Sequence, residues 1–217
     1  MKTSLRGFTL VELLVVITII GILASIALPV FQKVQEKAKA VNDASNLRQL
    51  GLALLNYKGD NNGDIFDATK PNWQQQLNPT YISAWKVFKS PFDSRANNEI
   101  PANAPVSYAI NGEPGVNGSG KIYGLDGSKI LYPSSYILIA PNVDTAASDV
   151  SFVNNTGTTA TPEVVPAAVV ADKGTHGSRK RINALFADGH TEDMTWAKFI
   201  DKASDDSAKK RWIYDTP

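Results

Sequence analysis

A nearly unbroken apolar run from Phe8 to Leu28 constrains this chain more than any other feature of its sequence. The run has 21 residues, and a helix of that length, rising about 1.5 Å per residue, spans about 31 Å, the thickness of a membrane's hydrocarbon core. One carboxylate, Glu12, lies inside the run, where an unpaired charge costs at least about 2.5–3.5 kcal/mol. A basic leader that ends at Gly7 precedes the run. The sequence therefore predicts a membrane-spanning helix at 8–28 that contains a single acid.

The helical pattern continues beyond this run as an amphipathic segment. Apolar side chains recur there at steps of three or four residues, which places them on one stripe of a helix. Polar side chains such as Asp43 and Arg48 fall largely off that stripe. Pro29 removes a backbone hydrogen bond and predicts a bend or local melting, and Gly59 ends the pattern, so one helix is predicted for 8–58. The stripe consists of Phe31, Val34, Ala38, Val41, Ala44, Leu47, Leu50, Leu54 and Tyr57.

Charge does not orient this segment, because Lys2 and Arg6 precede it while Lys33 and Lys37 follow it. A cleaved secretory signal or a plain signal anchor is the alternative interpretation. A secretory signal has a shorter apolar core with a cleavage site after it, whereas this run is longer and continues as a helix. These differences favour a retained membrane helix.

After residue 58 the sequence changes to short apolar runs separated by Gly, Pro, Asn and Asp, a pattern typical of strands joined by turns. Asp188-Gly189 predicts a two-residue hairpin turn, since Gly tolerates positive φ. Residues 196–200 and 207–213 predict a broken C-terminal helix, and 144–161 predict a mobile loop. The predicted fold class is α+β, with the long N-terminal helix packed on a small antiparallel sheet. The predicted strands are 106–110, 129–132, 136–140, 164–170, 182–187 and 190–194.

The composition excludes several classes of function. The chain has 217 residues, which suits one membrane helix and one globular domain. Its 22 basic and 21 acidic residues leave a net charge of +1. The chain therefore lacks the excess of basic residues that would predict a nucleic-acid partner. There is no cysteine, which rules out a disulfide framework and a thiolate metal site.

The N-terminus resembles the type IV pilin and type II secretion pseudopilin class. The prepilin cleavage and methylation motif of that class is similar to Lys2-Thr-Ser-Leu-Arg-Gly-Phe-Thr-Leu-Val-Glu12. The resemblance implies cleavage between Gly7 and Phe8 by a membrane prepilin peptidase, followed by N-methylation of Phe8. It also implies a leader at 1–7, a single pass through the inner membrane, and an exported domain at 59–217 that is periplasmic or extracellular. Pro29 falls where many pilins carry a helix-bending proline.

Cleavage at this place would leave a charged amine on Phe8, one helical turn from Glu12. Between adjacent subunits, a Glu12 carboxylate and a Phe8 amine in low dielectric are strongly favoured over two unpaired charges. The first hypothesis is therefore a homo-oligomeric, non-enzymatic subunit of a helical filament, a type IV pilus or a type II secretion pseudopilus. The resemblance implies an assembly ATPase and a platform protein as partners, because extraction of the helix from lipid requires work.

Several later segments resemble one pseudopilin-like subgroup, whose domain ends in His, a spacer and Asp-Gly. That subgroup usually carries Cys before the proline of the segment 88–93, and Ser90 replaces it here, so a thiol role is lost. The spacer between His176 and Asp188 is longer than in the subgroup's pattern. The other matching segments are 46–54, 57–63, 107–111 and 185–190.

His176, Asp188 and His190 fit a divalent-metal site, since two imidazoles and a carboxylate are common ligands. The alternative is that Asp188-Gly189 forms the turn and both histidines are exposed or cap backbone groups. A second hypothesis for the whole chain is a membrane-anchored module that does not polymerise and binds glycan, metal or protein. The third is an anchored hydrolase that uses these three residues. No nucleophile elbow or comparable motif places Ser, His and Asp together in the sequence, so an enzyme is not expected.

Asp60, Asn62 and Asp64 are similar to the start of a calcium-binding loop. Ile65 stands where the loop needs Gly, and Pro71 where it needs the closing Glu, so a turn that ends the helix explains them better. Some major pseudopilins bind calcium, so the resemblance leaves a looser calcium or other divalent-metal site as an alternative to no cofactor.

Two further patterns have simple structural interpretations. Residues 115–121 approach a phosphate-binding loop, but Ile122 replaces the hydroxyl residue that binds Mg²⁺, which favours an ordinary glycine-rich loop. Four tryptophans are predicted to pack in the core or at its rim, with a carbohydrate-binding aromatic face as the alternative. They are Trp73, Trp85, Trp196 and Trp212.

Overall fold

The computed structural model describes residues 8–66, 73–93, 107–110, 127, 130, 132–141 and 174–201. The chain divides into two compact units, Met1–Ala38 and Lys39–Pro217. In chain order the elements are α1 (Leu10–Asp60), α2 (Trp73–Leu77), a 3₁₀ turn (Trp85–Phe88), β1 (Tyr108–Ile110), β2 (Ile137–Pro141), β3 (Arg181–Phe186), β4 (Thr191–Thr195) and α3 (Trp196–Ile200).

Helix α1 has 51 residues and continues through Pro29 without interruption. The predicted local melting at Pro29 is therefore wrong, whereas a bend there stays a prediction. The helix ends in a tight polar turn, where the Gly63 N–H donates to the Lys58 carbonyl at 2.9 Å. Gly63 takes a φ of +93°, a left-handed conformation that glycine adopts without steric cost.

The described part of the first unit, residues 8–38, contains no buried residue. Its large apolar side chains are all exposed, with Phe8 at 71%. Among the described residues α1 is the one helix long and apolar enough to cross a membrane, judged by length and composition. The apolar surface of this segment is left without a protein partner inside its own unit.

The second unit contains a four-stranded sheet in the order β1-β2-β3-β4. Each neighbouring pair is antiparallel, with Ala109 opposite Ala140 in the first pair and Asn183 opposite Asp193 in the last. The β2–β3 pairing carries an irregularity between Ile137 and Ile139. The predicted α+β fold, a long N-terminal helix with a small antiparallel sheet, is confirmed.

Both faces of this sheet carry a hydrophobic core. On one face, residues of α1 such as Leu47 and Tyr57 belong to a cluster with Leu138 and Leu185 of the sheet. On the other face, residues of β2, β3 and β4 form a cluster with two side chains of α3. Because side chains alternate between faces along a strand, the central strands are buried on both sides. The second cluster consists of Ile137, Ala140, Ile182, Ala184, Phe186, Met194, Trp196 and Phe199.

Four of the six predicted strands correspond to observed strands, with bounds displaced by one or two residues. The strand predicted at 129–132 is wrong, because the described residues Ile130 and Tyr132 lie outside any strand. The strand predicted at 164–170, the mobile loop at 144–161 and the second helical piece at 207–213 lie outside the described residues. The first helical piece, 196–200, is observed as α3.

The hairpin between β3 and β4 is longer than the predicted two-residue turn. The Phe186 N–H donates to the His190 carbonyl at 2.9 Å, and the Gly189 N–H donates to the Phe186 carbonyl at 2.9 Å. Three residues therefore lie inside the closed loop, and Gly189, at a φ of +91°, supplies the left-handed residue that such loops use. The Asp188 side chain accepts from the His190 N–H at 3.0 Å, which stabilises the longer loop.

The predicted apolar stripe of α1 is correct only in its C-terminal half. Leu47, Leu50, Leu54 and Tyr57 are buried, whereas Val41 is 68% exposed. The first buried residue of the helix is instead Asp43, which is 0% exposed. The first side chain of α1 to be buried in the domain is therefore a carboxylate.

Candidate functional site

The N-terminus of α1 is closed by a reciprocal pair of side chains, Thr9 and Glu12. The Thr9 N–H and the Thr9 hydroxyl both donate to Glu12 Oε2, at 2.9 and 2.7 Å. In return the Glu12 N–H donates to Thr9 Oγ1 at 3.2 Å. This is a capping box, in which two orphan donors of the helix end are satisfied. The capping role of Thr9 was not predicted, although the spacing of Thr9 to Glu12 is the Thr-x-x-Glu signature of that motif.

Other polar side chains in the apolar segment are satisfied within the helix. The Thr18 hydroxyl donates to the Leu14 carbonyl and the Ser25 hydroxyl to the Ile22 carbonyl, each at 2.7 Å. Such internal bonds let hydroxyls reside in a segment surrounded by lipid. Glu12 is left as the one acid between residues 8 and 28.

The predicted processing residues lie at the edge of the described structure. Gly7 is outside the described residues, and Phe8 is exposed ahead of the helix. Cleavage and methylation at Gly7 and Phe8, pairing by Glu12, and a bend at Pro29 all stay predictions.

A second polar site lies inside the domain and is centred on Asp43. Asp43 Oδ1 accepts the Ser90 hydroxyl at 2.6 Å and the Tyr108 hydroxyl at 2.8 Å. Asp43 Oδ2 accepts the Asn183 side-chain amide at 2.9 Å, and that amide also donates to the Ala40 carbonyl at 2.9 Å. We name Asp43, Ser90, Tyr108 and Asn183 the Asp43 cluster. It joins α1 to β1, to β3 and to the loop after the 3₁₀ turn.

The electrostatics of the Asp43 cluster follow from its burial. Removal from water raises the pKa of Asp43 above its ordinary value, while the three hydrogen bonds and nearby His176 oppose that rise. Burial and the adjacent Asp43 raise the pKa of the Tyr108 hydroxyl well above its ordinary value. Tyr108 therefore stays protonated and keeps its proton available for donation to Asp43.

Ser90, which stands where the resembling subgroup usually has Cys, has a clear role in this arrangement. Its hydroxyl is buried and donates to Asp43. A matching pair lies nearby, where the Ser107 hydroxyl donates to Asp93 Oδ2 at 2.6 Å. A hydroxyl donates a stronger hydrogen bond than a thiol, so serine suits a partner that is a buried carboxylate.

The structure separates the three residues predicted as metal ligands. His176 is buried, and its Nε2 and Nδ1 lie 3.0 Å from Asp193 Oδ1 and from the Thr175 hydroxyl. Asp193 also accepts from Arg181 Nε at 3.0 Å. Both imidazole nitrogens of His176 are thus engaged away from the β3–β4 turn.

His190 forms its own pair within that turn. Its Nδ1 lies 2.5 Å from Asp188 Oδ1, and its ring stacks on Phe186 with 4.2 Å between ring centroids. In the part of the chain that the structure describes, no group of three or more His, Asp or Glu side chains is arranged to hold a metal. The structure therefore does not bring the candidate ligands His176, Asp188 and His190 together as one site, because each histidine is paired with a different aspartate.

Asp60, Asn62 and Asp64 form the polar turn that ends α1. Asp60 Oδ2 accepts the Tyr81 hydroxyl at 3.0 Å, and the Asp64 N–H donates to the Asn61 carbonyl at 3.0 Å. Asn62 takes a left-handed φ of 57°. These contacts agree with the prediction that the three residues belong to a turn that ends the helix.

The tryptophans do not provide an exposed aromatic face in the described structure. Trp73, Trp85 and Trp196 are buried, and Trp73 and Trp85 both pack on Phe88. The fourth, Trp212, and the glycine-rich segment 115–121 lie outside the described residues. Core packing, rather than a carbohydrate-binding face, is therefore the role of the three described rings.

Comparison with known proteins finds a family match at the N-terminus and relatives that each match about a quarter of the chain. Residues 4–28 match the family described as "Prokaryotic N-terminal methylation motif". The type IV major pilin protein PilA of Myxococcus xanthus is 53% identical over 52 residues, which are 24% of this chain and 24% of that protein. The type II secretion system core protein G of Pectobacterium carotovorum is 47% identical over 57 residues, 26% of this chain and 36% of that protein.

A third relative, the type IV major fimbrial protein FimA of Dichelobacter nodosus, is 41% identical over 54 residues, 25% of this chain and 35% of that protein. The chain thus spans between 24% and 36% of the length of these three curated relatives. No solved structure gives a significant match. The predicted resemblance to type IV pilins and pseudopilins is confirmed, and the family match within it covers residues 4–28.

Proposed function

We propose that the chain is a structural subunit of a filament of the type IV pilus or type II secretion pseudopilus kind. The observation that carries this proposal is the N-terminal methylation motif at 4–28 followed by a membrane-length helix. Relatives named as a type IV pilin and as a type II secretion core protein support it. The function is mechanical, through packing and charge pairing, and involves no catalysis.

The chain is made with a leader that a prepilin peptidase removes between Gly7 and Phe8, and the new Phe8 amine is methylated. The helix at 8–28 then anchors the protein in the inner membrane, with the domain at 59–217 exported. Movement of the apolar helix out of lipid needs external work, so an assembly ATPase and a platform protein act as partners.

Glu12 sets the axial spacing of the filament in this proposal. In the described chain its carboxylate binds only groups of Thr9, close to the start of the helix. The Phe8 amine of a neighbouring subunit supplies the opposite charge, which stabilises the Glu12 carboxylate in a low-dielectric environment. The capping box holds Glu12 Oε2 at the N-terminal end of α1, where such an amine would approach.

Two substitutions of Glu12 test the proposal in cells that contain the processing and assembly proteins. Glu12→Ala and Glu12→Leu should leave membrane insertion intact and abolish filaments, as measured by fractionation and by electron microscopy of sheared material. Glu36→Ala, at a carboxylate of the same helix outside the apolar run, is the matched control and should assemble. Mass spectrometry should find a mature N-terminus at Phe8 that carries a methyl group.

A further variant separates charge pairing from helix capping. Thr9→Val removes the capping hydroxyl and keeps the Glu12 charge, so it should retain filaments that Glu12→Ala loses. Normal filaments from Glu12→Ala would contradict the pairing. If the protein in cells retains residues 1–7, the filament function is contradicted, and the membrane-anchored binding module becomes the favoured hypothesis.

A further inference from the structure

Helix α1 meets the sheet through a leucine stripe that repeats itself along the helix. Leu47, Leu50 and Leu54 are all buried, and they lie three and four residues apart, about one helical turn each. A shift of one turn, about 5.4 Å along the axis, would carry Leu47 close to the place of Leu50 and Leu50 close to that of Leu54. The stripe therefore holds the helix on the sheet but discriminates weakly between neighbouring axial positions.

Asp43 responds to such a shift very differently. It is the only carboxylate among the buried residues of α1, and its donors come from three segments that converge on one point. The Ser90, Tyr108 and Asn183 groups lie 2.6 to 2.9 Å from its oxygens. After a shift of one turn none of these contacts could form, and a buried carboxylate and three buried donors would lose their partners, each at a considerable cost.

Two neighbouring contacts mark the same axial position. The Asn183 amide donates hydrogen bonds both to Asp43 and to the Ala40 carbonyl, so it contacts α1 at two residues. Gly51 acts by exclusion, because a Cβ there would lie 2.8 Å from Leu185 Cδ1 and 3.2 Å from the Gly189 carbonyl oxygen. A shift of one turn would bring a larger residue into that space.

We propose that Asp43 is a positioning residue that fixes the axial register of α1 on the sheet. A single buried polar group sets the register of coiled coils in the same way, by making every other alignment leave it unpaired. The proposal concerns the helix segment 43–57 and the sheet alone. It therefore stands whether or not the chain forms filaments.

The test replaces the polar cluster by apolar side chains and then measures register rather than stability. The fourfold variant Asp43→Leu, Ser90→Ala, Tyr108→Phe, Asn183→Leu removes all partners together, so that no donor is left unpaired. Asp43→Asn keeps a hydrogen-bonding side chain of the same shape. Tyr57→Phe is the matched control, since it removes a different side-chain bond of the same helix, from the Tyr57 hydroxyl to Gln76.

Engineered cysteine pairs report the register, since the natural chain has no cysteine. The Asn46 side-chain amide donates to the Lys89 carbonyl at 3.0 Å, so Asn46→Cys with Lys89→Cys reports the native position. Asn42→Cys or Gln49→Cys, each with Lys89→Cys, reports a shift of one turn in either direction. Asn42 and Gln49 are exposed, so their substitution leaves the core intact. The full chain is oxidised in detergent micelles, and each disulfide is quantified by mass spectrometry.

The wild type, Asp43→Asn and Tyr57→Phe should form the disulfide only between positions 46 and 89. The fourfold variant should raise disulfide formation in a shifted pair by about tenfold or more, which corresponds to about 1.4 kcal/mol of lost discrimination. A folded fourfold variant that crosslinks only between 46 and 89 would overturn the proposal. If that variant does not fold, the double variant Ser90→Ala, Tyr108→Phe is tested with the same cysteine pairs. It should give a smaller rise in disulfide formation in a shifted pair, and crosslinking only between 46 and 89 would overturn the proposal.

Discussion

Thr9, which caps α1, and Asp43, which lies within α1, have hydrogen-bond partners at very different distances along the chain. Thr9 bonds to Glu12, three residues away, and the pair is readable as a capping box. Asp43 bonds to side chains that are 47, 65 and 140 residues away. No local pattern marks those partners, and helical periodicity assigns Asp43 to the polar side of α1. Its burial is a consequence of where β1 and β3 meet the helix.

Burial of Asp43 predicts a specific dependence of stability on pH. Because the folded state raises the pKa of Asp43 above its ordinary value of 3.8, the folded domain binds this proton more tightly than the unfolded chain does. The contribution of Asp43 to stability is therefore complete below pH 3.8 and is lost as pH rises through the raised pKa. The slope that it adds cannot exceed about 1.4 kcal/mol per pH unit, the limit for one proton.

The variant Asp43→Asn should remove that slope while keeping a side chain of the same shape. Denaturant unfolding of the full chain in micelles, measured at intervals from pH 4 upward, gives the difference from wild type. Asn42→Ala, at the neighbouring exposed position, is the control and should retain the wild-type slope. Equal slopes in wild type and Asp43→Asn would show that the Asp43 proton is bound equally in both states.

At the scale of elements, α1 and the β3–β4 hairpin approach each other through two glycines. Gly51 lies against Leu185 and the Gly189 backbone. Gly189 combines a positive φ of +91° with a close neighbour, since a Cβ there would lie 2.9 Å from Leu55 Cδ1. Asp188-Gly189 was predicted as a turn from its sequence, whereas its close contact with the helix emerges only in the folded domain.

Two identical substitutions on α1 should change stability in opposite directions. Gly51→Ala gains up to about 1 kcal/mol of helix propensity but forces overpacking that costs about 1–3 kcal/mol, so we expect net destabilisation. Gly59→Ala, where a Cβ would meet nothing within 4 Å, gains the propensity alone and should stabilise by about 0.5–1 kcal/mol. Chemical denaturation of both variants gives the comparison. Equal gains would mean that the hairpin moves away from α1 without cost.

At the scale of the whole molecule, the two units differ in where their side chains find partners. The described residues of 8–38 bury nothing, whereas every buried residue described lies in Lys39–Pro217. The apolar surface of the first unit is suited to lipid or to other copies of the helix. The second unit carries a core on both faces of its sheet and needs neither.

A fragment that begins at Lys39 should therefore fold by itself in water. Residues 39–217 should unfold cooperatively without detergent, as followed by circular dichroism. A matched fragment, 45–217, lacks Asp43 and leaves Ser90, Tyr108 and Asn183 without their partner, so it should be less stable by about 1–3 kcal/mol or more. Loss of a cooperative transition in 39–217 would contradict the independence of the two units.

The sequence alone determined the long helix, the apolar span within it and the small antiparallel sheet. Each of these features shows as a local repeat of apolar residues, about every 3.6 residues for a helix and every two for a strand. It can therefore be predicted without knowledge of the rest of the chain. The N-terminal motif is equally local, and comparison with known proteins confirms the resemblance drawn from it. Strand bounds moved by a residue or two because cross-strand pairing, rather than composition, sets them.

Only the tertiary structure decided which polar side chains meet. His176 and His190 were grouped with Asp188 because these residue types suit a metal. In the folded domain His176 instead pairs with Asp193, and Asp188 pairs with His190. It also placed Asp43 at the centre of the buried cluster. Hydrogen bonds reach about 3 Å, so residues separated by tens of positions become partners only when the topology of the sheet brings their segments together.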